Sequence, residues 1–330
     1  MPKIIRFHQL GGPEVLQLEE APVQEPGRGE VRLKVQAVGL NRAEALFARG
    51  FYLEQPKLPS RIGYEAAGIV EAVGPGVDAS WIGKNVASIP GFSMSANGVL
   101  GEEAVVPVEV LGAYPAKLSP VEAAAIWMQY LTAWGALVHF GGLTAGDFVI
   151  IPAASSSVGL AAIQIAKAEG AIAIAATRTS AKKEELFKLG ADHVIATEEE
   201  DLVERVKQIT DGKGARLIFD PVGGPLIEKL AEVASEHGIL FEYGWLSMQP
   251  TPFPFRPALS KGLSVRGYTL REVRDDAALL NAGKQYVFDR IHDGRFHPRI
   301  AKTFPLTQTV EAYQYLESNA QVGKVVITVP

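Results

Sequence analysis

The stretch DFVIIPAASSSVGLAAIQIAKAEGAIAIAATR, residues 147–178, decides the fold. It opens with an apolar run at 148–153, long enough for a strand and too short for a helix. A loop of small residues follows. A helical segment at 158–169 then closes at Gly170, and a second apolar strand occupies 172–177. Strands that are apolar throughout belong to a parallel sheet covered on both faces. A strand, a helix and a strand in this span are what join two parallel neighbours.

Downstream the pattern repeats. Helices at 181–189, 201–210 and 226–235 alternate with strands at 193–196, 216–220 and 239–243. Glycines after the first two helices of the series read as C-caps. The acidic run 198–201 supplies negative charge to a helix start. The fold class is therefore α/β, a Rossmann-type doubly wound parallel sheet.

Upstream, residues 1–125 alternate short β-patterned runs with turns, such as Val31, Leu33, Val35 and Ala37, and carry one helix at 41–49 that stops at Gly50. This is a second, mostly-β domain. A helix at 277–292 and a strand at 325–329 end the chain. We expect that strand to return to the first domain, so that 1–125 with 297–330 form one domain and 126–296 the other. Residues 248–257 hold four prolines and read as an irregular loop.

Composition narrows the function. Among 330 residues there is no cysteine, which excludes disulfides, thiolate nucleophiles and cysteine-ligated metals. The six histidines include no i, i+4 pair, and His292 with His297 is the nearest approach to a cluster, so no metal site is expected. A net charge of −5 gives no general affinity for nucleic acid or anionic membrane. The N-terminus lacks a signal-peptide run, and no apolar stretch approaches ~20 residues. A soluble cytoplasmic protein is expected.

The loop after the first strand of the α/β series is where a dinucleotide pyrophosphate rests on a helix N-terminus. Aligned on G-x-G-x-x-G, its positions read Ala154, Ser156 and Gly159. Ser155, Ser156, Ser157, Val158 and Gly159 are candidate phosphate ligands; the plainer alternative is a small-residue turn without a ligand. An NAD-specific site wants a carboxylate at the end of the next strand. Here stand Thr177, Arg178, Thr179, Ser180, Ala181, Lys182 and Lys183. Thr177, Arg178, Ser180 and Lys182 suit the 2′-phosphate of NADPH, with Arg178 the candidate for a bidentate contact. Lys182 and Lys183 read equally as surface residues paired with Glu184 or Glu185.

The runs GLNRAE (39–44), GYEAAGIV (63–70), YLTA (130–133) and VGKVV (322–326), with the serine loop, resemble medium-chain dehydrogenase/reductases. Within them the match is closest to the zinc-free quinone oxidoreductase (zeta-crystallin-like) branch, along the whole chain and in the same order. The resemblance implies a GroES-like domain, a Rossmann domain, a substrate cleft between them and a homodimer joined through sheet edges, with 263–268 as the edge strand. In zinc-dependent members a Cys and a His-Glu pair hold the metal. Here the Cys place falls near Leu40 and Asn41, and the His place is Tyr64, followed by Glu65. Zinc catalysis is not expected.

The chemistry then implied is hydride transfer from NADPH to a quinone or an α,β-unsaturated carbonyl, whose oxygen needs a hydrogen-bond donor and a proton. The resemblance places Tyr52 as that donor, with an unperturbed phenol pKa of about 10, and Asn41 as the group that orients cofactor or substrate. Tyr64 is a second donor. The plainer alternatives are a rim aromatic for Tyr52 and an N-cap for Asn41. Tyr130, beside Met128 and Gln129, is a candidate nicotinamide contact or a packing residue. Tyr243 and Gly244 are candidates at the nicotinamide ribose. Lys324 is a candidate cofactor or substrate contact, or a surface lysine. Phe92, Trp245, Phe253 and Phe255 line either a pocket or the core. The rival functions are an enoyl-thioester reductase on the same scaffold and a non-catalytic NADPH-binding sensor.

Overall fold

The structure, a computed structural model, describes all of residues 1–330. The chain divides into two compact units, residues 1–128 with 298–330 and residues 129–297.

The second unit is built on a six-stranded sheet in which every pair is parallel. Its spatial order is His193–Ala196, Ile172–Thr177, Phe148–Ile151, Ala215–Asp220, Ala234–Glu242, Ser264–Gly267. That is the 3-2-1-4-5-6 order of a doubly wound dinucleotide fold, and the order reverses beside Phe148–Ile151. The strands are apolar because helices cover both faces: Ile150, Ile174, Ile218 and Leu240 have no exposed surface.

Several boundaries differ from the sequence expectation. The first strand stops at Ile151, because Pro152 has no N–H for a sheet ladder. The helix expected at 226–235 ends at Glu232, and the next strand begins early, at Ala234. The proline-rich run is irregular only to Pro254. A helix, Phe255–Lys261, then carries Pro257 in its first turn, where an N–H has no intrahelical partner to lose. Ser264–Gly267 pairs only with Ala234–Glu242 and forms the sheet edge.

The first unit is mostly β. Its central strand, Glu30–Gly39, alternates buried and less buried residues over its first half, as a period of two requires. Val31, Leu33 and Val35 have no exposed surface, each contributing roughly 1.5–3 kcal/mol by burial. Glu65–Val73 pairs along this strand, Glu103–Pro107 covers its first half, and the last strand, Lys324–Thr328, pairs with its end through Val326↔Gly39. The end of the chain thus belongs to the sheet that the beginning starts. A three-stranded sheet, Gln17–Glu20, Lys3–Phe7 and Ser60–Arg61, completes the unit.

Gly39 marks a close crossing. A Cβ there would lie 1.9 Å from the Ala124 carbonyl oxygen, so only glycine lets residues 124–128 run across the corner that leads into helix Arg42–Ala48.

Candidate functional site

Two groups of polar residues stand out, one in each unit.

In the second unit the serine loop follows Phe148–Ile151 and opens helix Ser157–Ala168. Ser156 is its N-cap, and its hydroxyl accepts the Gly159 N–H at 3.0 Å. Gly159 is required by packing: a Cβ there would meet the Ala154 carbonyl oxygen at 2.6 Å. Helix geometry leaves the N–H groups of Ser157 and Val158 without intrahelical partners, which suits an anion.

The end of Ile172–Thr177 lies next to this loop. Lys182 Nζ donates to Ser155 Oγ at 3.1 Å, so the structure brings these two candidates together. Burial, and then the charge of Arg178, lower the Lys182 pKa. Arg178 is exposed and makes no ion pair. Lys183 pairs with Glu200, and Glu199 accepts the Ser180 N–H at 2.8 Å. The Thr177 carbonyl accepts the Thr197 N–H at 2.8 Å, which fixes the strand end. These residues fit the 2′-phosphate end of NADPH: small groups at the close approach, a helix start, and cations held beside hydroxyls.

Tyr243 stacks on Phe219 with centroids 3.9 Å apart, and its hydroxyl is buried without a hydrogen-bond partner. Gly244 is exposed at a tight corner, where a Cβ would meet the Pro221 carbonyl oxygen at 2.7 Å. Tyr130 requires correction as a cofactor contact. It has no exposed surface, its ring stacks on Phe296 at 4.8 Å, and its hydroxyl donates to Gln164 at 2.9 Å. It is a core side chain.

Sequence reading missed two carboxylates in this unit. Asp220 and Glu242 are register partners at the carboxyl ends of adjacent parallel strands. Asp220 accepts the N–H groups of Val222 (2.8 Å) and Gly223 (3.1 Å), which shapes the turn that follows. Burial pushes Asp220 up to about 6. Burial, and then Asp220, push Glu242 up to about 8. Burial of both groups, and the neighbouring charge of Asp220 on Glu242, disfavour the ionised forms.

In the first unit the centre is Lys324. Its ammonium donates to Glu65 Oε2 at 2.6 Å and Asn41 Oδ1 at 2.7 Å, and neither charged side chain has any exposed surface. The other oxygen of Glu65 accepts the N–H groups of Trp127 (2.7 Å) and Met128 (3.0 Å). Asn41 Nδ2 donates to the Gly39 carbonyl at 3.0 Å and to Glu44 at 3.2 Å. Glu44, also fully buried, takes the Asn41 N–H (2.9 Å), the Tyr64 N–H (3.0 Å) and the Tyr313 hydroxyl (2.7 Å). Burial raises the Glu44 pKa, while those donors and Lys324 act against the rise.

Lys324 is therefore neither a surface lysine nor a free ligand contact; its ammonium is committed to Asn41 and Glu65. Asn41 does precede helix Arg42–Ala48 as its N-cap residue, and its side chain is committed to the same network.

Tyr64 is 5% exposed, with its ring 6.2 Å from Tyr52 and 5.5 Å from Phe92. Burial first, then Tyr52 and Glu54, hold its hydroxyl far above the usual phenol range, and it shares a hydrogen bond with Tyr52. Tyr52 is the half-buried member of the pair. Of the other aromatic candidates, Phe253 and Phe255 are each 65% exposed and Trp245 is 39% exposed. No group of three His, Asp or Glu side chains is placed to hold a metal ion.

Comparison with known proteins matches residues 27–139 to the alcohol dehydrogenase GroES-like domain and residues 157–282 to the zinc-binding dehydrogenase family. The chain is 33% identical to quinone oxidoreductase 1 of Escherichia coli, over 97% of each chain. It is 30% identical to a 2-haloacrylate reductase of a Burkholderia species, again over 97% of each. The solved structure of Escherichia coli quinone oxidoreductase complexed with NADPH superposes with a TM-score of 0.91 at 31% identity, over 99% of both chains.

The carboxylate pair predicts a pH dependence. Both carboxyls have folded values above the unfolded carboxyl value of about 4, so their contribution to stability is complete below that pH and is lost as pH rises through about 6 and then about 8. Urea unfolding at pH 5 and pH 9 should show lower stability at pH 9, and Glu242→Gln should roughly halve the difference. An unchanged pH profile in that variant would show that the two groups are not coupled.

Proposed function

This chain belongs to the medium-chain dehydrogenase/reductase superfamily, on its zinc-free quinone oxidoreductase branch, and on that premise we propose that it reduces a quinone or an α,β-unsaturated carbonyl compound with NADPH. The observation that carries the cofactor is the set at the end of Ile172–Thr177: Lys182 on Ser155, an unpaired Arg178, and the start of the Ser156-capped helix.

When bound, NADPH supplies the hydride. Ser155 and Ser157, with the N–H groups of Ser157 and Val158, would hold the pyrophosphate; Arg178 and Lys182 would hold the 2′-phosphate, with Thr177 and Ser180 framing the site. Tyr243 and Gly244 would border the ribose on the nicotinamide side.

Hydride addition leaves negative charge on the acceptor oxygen. Tyr52 donates a hydrogen bond and then a proton to that oxygen. Tyr64, kept neutral by burial, supports the Tyr52 hydroxyl. Asn41 orients indirectly, by fixing Lys324 and the start of helix Arg42–Ala48. The name of the 2-haloacrylate reductase describes an activated alkene as substrate, which supports an acceptor with a conjugated double bond here.

The same reading places the protein in the cytoplasm as a homodimer. Support for the dimer is the unpaired outer side of Ser264–Gly267, a sheet edge that a second copy would cover. No helix is long and apolar enough to cross a membrane. Sedimentation should give twice the 35.4 kDa chain mass; a monomer at all concentrations would remove the dimer from the proposal.

The test of function is steady-state oxidation of NADPH and NADH against a quinone, an enone and an enoyl thioester. NADPH should be preferred. Arg178→Gln should raise the NADPH KM by about tenfold or more and leave NADH unchanged. Tyr52→Phe should lower kcat by about a hundredfold with the NADPH KM unmoved. Fastest turnover on the thioester would move the substrate class to enoyl thioesters. Tight NADPH binding with no turnover on any acceptor would favour a sensor and remove Tyr52 as donor.

A further inference from the structure

On the first unit a cavity of about 380 Å³ lies between the N-terminal hairpin, Ser60–Arg61 and Glu103–Pro107. It shares no lining residue with the network around Lys324. Its volume falls in the range of small-molecule sites. Three arginines line it from three strands: Arg6, Arg32 and Arg61. Arg6 and Arg61 are register partners on neighbouring antiparallel strands, so two like charges meet with no carboxylate between them in the ladder.

The charges are unevenly answered. Arg32 has Glu25 at 3.0 Å and Glu71 at 3.9 Å. Arg6 has only Glu19, at 3.9 Å. Arg61 makes no ion pair: its terminal nitrogens donate to the Glu103 carbonyl at 2.8 Å and to Gln24 at 3.4 Å. Burial first, and Arg6 second, push the Arg61 guanidinium down to about 10, with Glu103 acting against the shift.

Three buried polar atoms of these lining residues have no hydrogen-bond partner: Nε of Arg32, Nε of Arg61 and Oε2 of Glu103. Buried polar groups are nearly always paired, and leaving them unpaired is destabilising. Three guanidinium groups and one carboxylate side chain line the cavity, an excess of positive charge that suits an anion.

We propose that this cavity binds a small organic anion. Its carboxylate or phosphate head sits on Arg61 and Arg6, a hydroxyl or amine beside the head donates to Glu103, and a short apolar chain lies along Pro22, Pro59 and Val105. The reading is independent of the hydride-transfer function.

Calorimetric titration of the full chain with hexanoate, 2-hydroxyhexanoate and hexyl phosphate tests it. The hydroxy acid or the phosphate should bind, and the tighter of the two identifies the head group. Arg61→Gln should weaken binding about tenfold or more. Arg6→Gln, at a partly exposed position, should do the same if Arg61→Gln folds poorly. Arg178→Gln should leave binding unchanged, which separates this cavity from the cofactor loop. Glu103→Gln should reduce the advantage of 2-hydroxyhexanoate over hexanoate. The proposal is overturned if none of the three binds, if Arg6→Gln and Arg61→Gln bind as the parent does, or if Arg178→Gln abolishes binding.

Discussion

A lysine ammonium with no exposure to water, held between a carboxylate and an amide, is the constraint on which the first unit depends. Desolvating a charge is tolerable only when it is paired and hydrogen-bonded, and removing one partner of such a pair typically costs about 3–5 kcal/mol. Lys324 begins the last strand, Glu65 begins the strand beside the centre of the sheet, and Asn41 leads into a helix. Glu65 also holds the backbone at Trp127 and Met128. One buried ion pair therefore links four stretches that are far apart in sequence. It gives a physical reason for the chain to return to its first unit after completing the second.

The pair also bears on the chemistry. The family resemblance places a zinc-binding Cys near Asn41 and a zinc-binding His at Tyr64. In this chain Asn41 accepts from an ammonium, and the ring of Tyr64 packs edge-on to Tyr52 and Phe92. Positive charge is present, but it is a lysine neutralised by Glu65 rather than an open Lewis acid. In the proposed reaction, stabilisation of the acceptor oxygen is assigned to hydroxyl donors. Of the two adjacent tyrosines, Tyr64 is buried and Tyr52 is half-buried.

Much of this fold could be read directly. The strands Ile172–Thr177 and His193–Ala196 and the helix Ala277–His292 lie where apolar runs and periodicity put them. The misplaced boundaries have local causes. Pro152 cuts a strand short, and the polar residues 235–238 hide the beginning of Ala234–Glu242. Proximity within the site was less visible. Lys182 and Ser155 are 27 residues apart, and only the sheet order brings them together. Lys324 reads as a cofactor or substrate contact or as a surface lysine, because a single charged residue before a strand gives no sign of burial. Its burial depends on Glu65, 259 residues away. Asp220 and Glu242 each look like the polar end of a strand; their coupling appears only once the two strands are known to be neighbours. Tyr130 reads equally as a nicotinamide contact or a packing residue, because an aromatic residue near a ligand-bearing region and one inside a helical core have the same local sequence.

The most direct measurement is a double-mutant cycle on the pair, comparing urea unfolding of Lys324→Met, Glu65→Gln and the double variant with the parent chain. If the pair organises the unit, each single change orphans a buried partner, and the double change loses less than the two singles summed, with a coupling of about 1–3 kcal/mol. Strictly additive losses, or single variants as stable as the parent, would contradict it.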